Sequence, residues 1–231
     1  MGTTTAAFYD LDGTLLRTNV VHAYAYYAVN LPSLSDKLLR SVKLAASLPM
    51  YFAAEKINRK LFNDLFYRSY KGISEDRLVV LGEEMFENMI RPALYPAGID
   101  LVRRSRNAGH VQVLVTGALD FVARPIAHFL GMDHFAANVL EYRKGYATGA
   151  VIEPVLAGPA KAAWMRRFAG EQGVDLESSY AYADSYSDYP MLSMVGRPCA
   201  VNPDPKLRAA SRAFDWPVVD LGRRDLASGE L

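Results

Sequence analysis

The sequence predicts an α/β fold, a doubly wound (Rossmann-like) parallel sheet interrupted by an inserted all-helical segment. Short, mainly apolar runs recur, each leading into a polar residue: Ala6–Tyr9 before Asp10, the β-branched Val111–Val115 before Thr116 and Tyr180–Ala183 before Asp184. Continuous runs of this kind are how strands buried on both faces read. Roughly ninety residues separate the first two runs, far more than an ordinary connection. That gap shows few β-like alternations and several long amphipathic stretches, so it reads as helical.

The first strand, Ala6–Tyr9, is broken by Gly13 soon after it ends. Side chains two apart in an extended segment share a face, so Asp10 and Asp12 are expected to converge. Two carboxylates that close repel unless a proton or cation offsets their charge. The pair suits a hard cation such as Mg²⁺, with one carboxylate attacking and the other moving protons.

The gap divides into an insertion over residues 18–91 and a helix over about 96–109 that leads into the Val111 strand. The expected domains are therefore a core of residues 1–17 and 92–231 and a helical domain of residues 18–91. Within the insertion, Leu44–Ala54 is uncharged and flanked by Arg40, Lys43, Lys56, Arg59 and Lys60. It is far shorter than the ~20 residues that span a bilayer, and Pro49 interrupts it. Two readings stay open for it: the insertion's own apolar core, or peripheral contact with a membrane interface. Arg68 is the cation of the insertion best suited to meet a substrate anion, with a solvated surface arginine as the plain alternative.

Beyond the Val111 strand, Thr116-Gly117 forms a turn at its end. Gly158-Pro159 starts a helix and places Lys161 in its first turn, where a cation opposes the helix dipole and calls for an anion nearby. Asp184 follows the Tyr180–Ala183 strand, at the end where open α/β sheets place their ligands. Asp188, just ahead of Pro190, is either part of the same site or a helix N-cap. Pro198–Val201 reads as a core strand in which Cys199 is a small buried apolar residue.

In order, Asp10-Leu11-Asp12-Gly13-Thr14, the strand ending in Thr116-Gly117, Lys161 and the Asp184…Asp188 pair resemble the four motifs of the haloacid dehalogenase superfamily. Most of its members are Mg²⁺-dependent phosphohydrolases. The resemblance implies Asp10 as nucleophile and Asp12 as general acid and base. It also implies Thr116, Gly117 and Lys161 as phosphate ligands, and Asp10, the Asp12 carbonyl, Asp184 and Asp188 around Mg²⁺. The all-helical insertion and the hairpin-like Leu140–Gly149, with Lys144-Gly145 at its turn, resemble the phosphoserine phosphatase subgroup, whose cap selects substrate. The order of the cap also resembles that of bacterial phosphatidylglycerophosphate phosphatases and the phosphatase-like segment of plant glycerol-3-phosphate acyltransferases. Three residues depart from the pattern. Ala183 stands in place of glycine and Ser187 in place of asparagine. Asn19 stands where the subgroup has an acid that pairs with the substrate ammonium, which disfavours phosphoserine.

Composition narrows the partners. The 231 residues carry a net charge of +1 and are 51% hydrophobic, which gives no basis for nucleic-acid binding and ample material for a core. The single cysteine fits a reducing compartment, and Gly2–Thr5 does not read as a secretory signal, so a cytoplasmic location is expected, with peripheral membrane association as the second reading. His22, His110, His128 and His134 lack zinc-like spacing. The reading is thus a phosphatase acting on a small or lipid-type phosphomonoester. A catalytically weak lipid- or membrane-binding module that keeps the fold is the alternative.

Overall fold

The computed structural model describes residues 4–17 and 67–223. Asn19, His22 and the uncharged run at 44–54 with its basic flanks lie outside the described residues. Six parallel strands form the main sheet: β1 (Ala6–Tyr9), β2 (Val111–Leu119), β3 (His134–Asn138), β6 (Tyr180–Ala183), β7 (Arg197–Val201) and β8 (Val218–Val219). A separate antiparallel hairpin pairs β4 (Leu140–Arg143) with β5 (Tyr146–Val151). The order β3-β2-β1-β6-β7-β8 reverses direction between β1 and β6. In such sheets the crevice outside the carboxyl ends of those two strands is the binding site.

Alternate residues of the strands face opposite layers. Tyr9, Leu114, Tyr182 and Cys199 share an apolar cluster with residues of three helices: α1 (Glu75–Met85), α2 (Pro96–Asn107) and α3 (Asp120–Leu130). Phe8, Val113, Val115 and Ala181 share the opposite cluster with Met165 and Phe168 of α4 (Pro159–Gln172) and Leu207 of α5 (Pro205–Ala213). β1 is fully buried, which is why it reads as an unbroken apolar run.

Local chemistry sets the helix ends. Ser74 caps α1 by accepting from the Arg77 N–H, and Asp204 caps α5 by accepting from Leu207. Pro96 and Pro159 open α2 and α4, and Gly131 closes α3 at φ +63°. Residues 67–91, expected as the end of the insertion, are mostly helical, and Leu78, Leu81 and Met85 among them bury into the same cluster as Tyr9 and Leu114. The hairpin turns at Lys144 and Gly145, both at positive φ, as the sequence predicts. β2 runs on to Leu119, past the expected stop at Thr116. Its register with β3 shifts between Val115 and Leu119, so the Thr116–Gly117 stretch sits at a break in that ladder. Among the described residues, no helix is long and apolar enough to cross a membrane.

Candidate active site

Tyr9 pairs with Leu114 on one side and Tyr182 on the other, which brings Asp10, Thr116 and Asp184 to the same end of three adjacent strands. The Asp10 N–H still donates to the Tyr182 carbonyl (2.9 Å). The chain then turns tightly, with the N–H groups of Thr14, Leu15 and Leu16 all directed at the Leu11 carbonyl. Gly13, at φ +81°, makes that turn, and its carbonyl accepts from Asn202 Nδ2 at 2.9 Å. Asp12 is half-buried in this turn, while Asp10 is buried.

Lys161, from the first turn of α4, reaches both Asp10 Oδ1 (2.6 Å) and Asp188 Oδ2 (2.8 Å). All three side chains are at most 7% exposed. Burial works against the ammonium, but the two carboxylates outweigh it and raise the Lys161 pKa, so it stays cationic. Asp188 precedes a helical turn, but its side chain makes no cap hydrogen bond and turns to Lys161. The other oxygen of Asp10 accepts from Thr14 Oγ1 at 3.2 Å. Asp10 is thus clamped on both oxygens.

Asp184 stands against the Asp10–Gly13 turn, so close that a Cβ on Gly13 would lie 2.1 Å from its Oδ2. Burial, and then the charges of Asp10 and Asp188, push its carboxyl up to about 8. The uncompensated charge and the hard oxygen donors fit a divalent cation such as Mg²⁺. Among the described residues, no three His, Cys, Asp or Glu side chains already form a metal-holding cluster. Mg²⁺ usually keeps water in its shell and takes only one or two carboxylates.

Thr116 is fully buried, and its Oγ1 accepts from the Ala118 N–H at 3.0 Å. Ser187 donates its hydroxyl to Ser185 Oγ at 3.1 Å. Arg68 is exposed, and its backbone lies against Gly149 of the hairpin. Sequence reasoning missed three residues that shape the site. Asn202 holds the Gly13 carbonyl and accepts from the Leu221 N–H. Asp204 accepts from the Tyr186 N–H, and its own N–H donates to the Asp184 carbonyl. Asn138 donates to the Gly117 carbonyl at 2.8 Å. None belongs to a motif; only an Asn or Asp near a strand end marked them.

Comparison with known proteins agrees with this geometry. Residues 7–193 match the family of haloacid dehalogenase-like hydrolases. The phosphoserine phosphatase SerB1 of Mycobacterium tuberculosis is 32% identical over 228 residues, covering 94% of this chain and 71% of that one. The histidinol-phosphatase of Neisseria meningitidis serogroup C is 27% identical over 223 residues, covering 93% and 98%. A crystal structure of a protein of unknown function from Bordetella pertussis Tohama I superposes with a TM-score of 0.84 at 30% identity, covering 95% of this chain and all of that one. With its motifs, its sheet and its relatives in accord, the chain belongs to the haloacid dehalogenase-like hydrolase family, as one of its phosphatases.

Proposed function

We propose that the protein hydrolyses a phosphomonoester, small or lipid-type and other than phosphoserine, through an aspartyl-phosphate on Asp10. The observation that carries this reading is the buried Lys161 ammonium spanning Asp10 and Asp188. It holds one Asp10 oxygen while Thr14 holds the other, which fixes the carboxylate for in-line attack.

In the first displacement an Asp10 oxygen bonds to phosphorus as the bond to the ester oxygen breaks, and Asp12 gives the departing alkoxide its proton. In the second, water attacks the acyl phosphate, Asp12 takes its proton, and phosphate leaves a restored Asp10. Lys161, Thr116 and the Gly117 N–H stabilise the phosphoryl oxygens. Mg²⁺, held by Asp10, the Asp12 carbonyl and Asp184 with Asp188 in support, would supply neutralising charge beside those oxygens.

The substrate restriction rests on Asn19, whose neutral amide offers an amino group no ion pair. The relatives' names make phosphoserine and histidinol phosphate the first two esters to compare. The test is phosphate release with and without Mg²⁺ across those two esters, lysophosphatidate and phosphatidylglycerophosphate. Turnover on histidinol phosphate or a lipid phosphate with little on phosphoserine supports the reading. Preference for phosphoserine overturns its substrate part, and absence of turnover on every ester overturns the whole.

A further inference from the structure

Asn138, 2% exposed at the carboxyl end of β3, has every polar atom of its amide engaged. Nδ2 donates to the Gly117 carbonyl at 2.8 Å and to the Tyr67 hydroxyl at 3.0 Å. Oδ1 accepts from the Leu156 N–H at 2.7 Å. The Tyr67 hydroxyl in turn donates to the same Gly117 carbonyl at 3.1 Å. One buried amide thus ties together the Thr116–Gly117 stretch, the segment leading into the Lys161 helix, and the return of the insertion at Tyr67.

The Gly117 carbonyl belongs to the peptide whose N–H is that of Ala118, and a peptide is a rigid plane. That N–H donates to Thr116 Oγ1 at 3.0 Å. Pinning the carbonyl therefore sets the N–H, and the N–H occupies one acceptor position of the Thr116 hydroxyl. The hydroxyl keeps its own proton for an outside acceptor. The sheet does not do this work, because the β2–β3 register breaks between Val115 and Leu119.

We infer that Asn138, with Tyr67, is a positioning residue that orients the Thr116 hydroxyl toward a phosphoryl oxygen through the Gly117–Ala118 peptide. The inference rests on the phosphatase reading, since it needs Thr116 to meet phosphate. Aspartate at 138 would still accept from Leu156 but could not donate to Gly117. Phenylalanine at 67 would remove a single hydroxyl.

The experiment compares full-length native protein with Asn138→Asp, Tyr67→Phe, Thr116→Ala and the double variant Asn138→Asp/Thr116→Ala. The readouts are kcat and KM on p-nitrophenyl phosphate, inhibition by inorganic phosphate, and thermal unfolding. Ser179→Ala serves as a stability control; that buried serine accepts from the Ala6 N–H at the opposite end of the sheet. Asn138→Asp is expected to lower kcat/KM about tenfold to a hundredfold and to weaken phosphate inhibition in parallel. Tyr67→Phe should act in the same direction to a lesser extent, which keeps the test alive if Asn138→Asp does not fold. In the Thr116→Ala background the Asn138→Asp loss should shrink toward nothing, because the group it orients is gone. Two results would overturn the inference: losses that multiply in full with Thr116→Ala, or variants that melt earlier, like Ser179→Ala, with native kcat/KM and phosphate inhibition. Native protein that neither turns over nor binds phosphate would sink the phosphatase reading itself, so the two failures are told apart.

Discussion

A Cβ on Gly13 would sit 2.1 Å from Asp184 Oδ2, and φ at that residue is +81°. Both constraints admit only glycine. Gly13→Ala should cost about 1–2 kcal/mol in backbone strain and, by displacing the Asp184 carboxylate, lower phosphatase turnover about a hundredfold or more. Urea unfolding and kcat measure the two effects separately. Asp10→Asn should abolish turnover and lower the melting temperature, since it takes one of two carboxylates away from the buried Lys161 ammonium. A residual rate above background would move the nucleophile elsewhere. Asp184 itself makes a pH prediction. Its folded carboxyl is pushed up to about 8 from 3.8, chiefly by burial and then by Asp10 and Asp188. Its contribution to stability is complete below about pH 4 and is lost as pH rises toward 8, because the unfolded chain gives up the proton first. A bound divalent cation would relieve the charged form. Thermal unfolding with EDTA or Mg²⁺ should therefore show a larger Mg²⁺ stabilisation near pH 8 than near pH 5. Equal shifts at both would place the metal away from Asp184.

At the scale of elements, α1 and α3 meet backbone to backbone. A Cβ on Gly82 would lie 2.0 Å from the Phe121 carbonyl oxygen. In an exposed helix Gly→Ala is favourable by about 1 kcal/mol; here the clash is with main chain, so Gly82→Ala should destabilise by about 1–3 kcal/mol. A lowered denaturant midpoint checks the sign. The packing also explains what sequence could and could not read. The strands β1 and β6 and the Pro198–Val201 part of β7 are legible because parallel strands buried on both faces are continuous apolar runs. The α4 start at Gly158-Pro159 and the Lys144-Gly145 turn are legible because proline and glycine act locally. The extension of β2 through Thr116-Gly117 is not, since it depends on the neighbouring strand across a shifted register.

For the whole molecule, the sheet is a wall between two apolar layers, and Phe8, fully buried, packs edge-on to Phe168 of α4 with ring centroids 6.1 Å apart. Phe8→Ala should cost about 3–5 kcal/mol, a large share of the roughly 5–15 kcal/mol that stabilises a typical domain. Equilibrium urea unfolding measures it. By itself the sequence determined the doubly wound class and the order of the strands along the chain, through local pattern, and it offered Asp10, Thr116, Lys161, Asp184 and Asp188 as site candidates through their resemblance to four family motifs. Only the tertiary structure decided that Asp188 meets Lys161 instead of capping a helix, that Gly13 is pressed against Asp184, and that Asn138, Asn202 and Asp204 hold the loops. The reason is distance along the chain. Asn202 meets Gly13 across 189 positions and Lys161 meets Asp10 across 151. Such contacts exist only once the sheet has set its strands side by side, and no local periodicity records them.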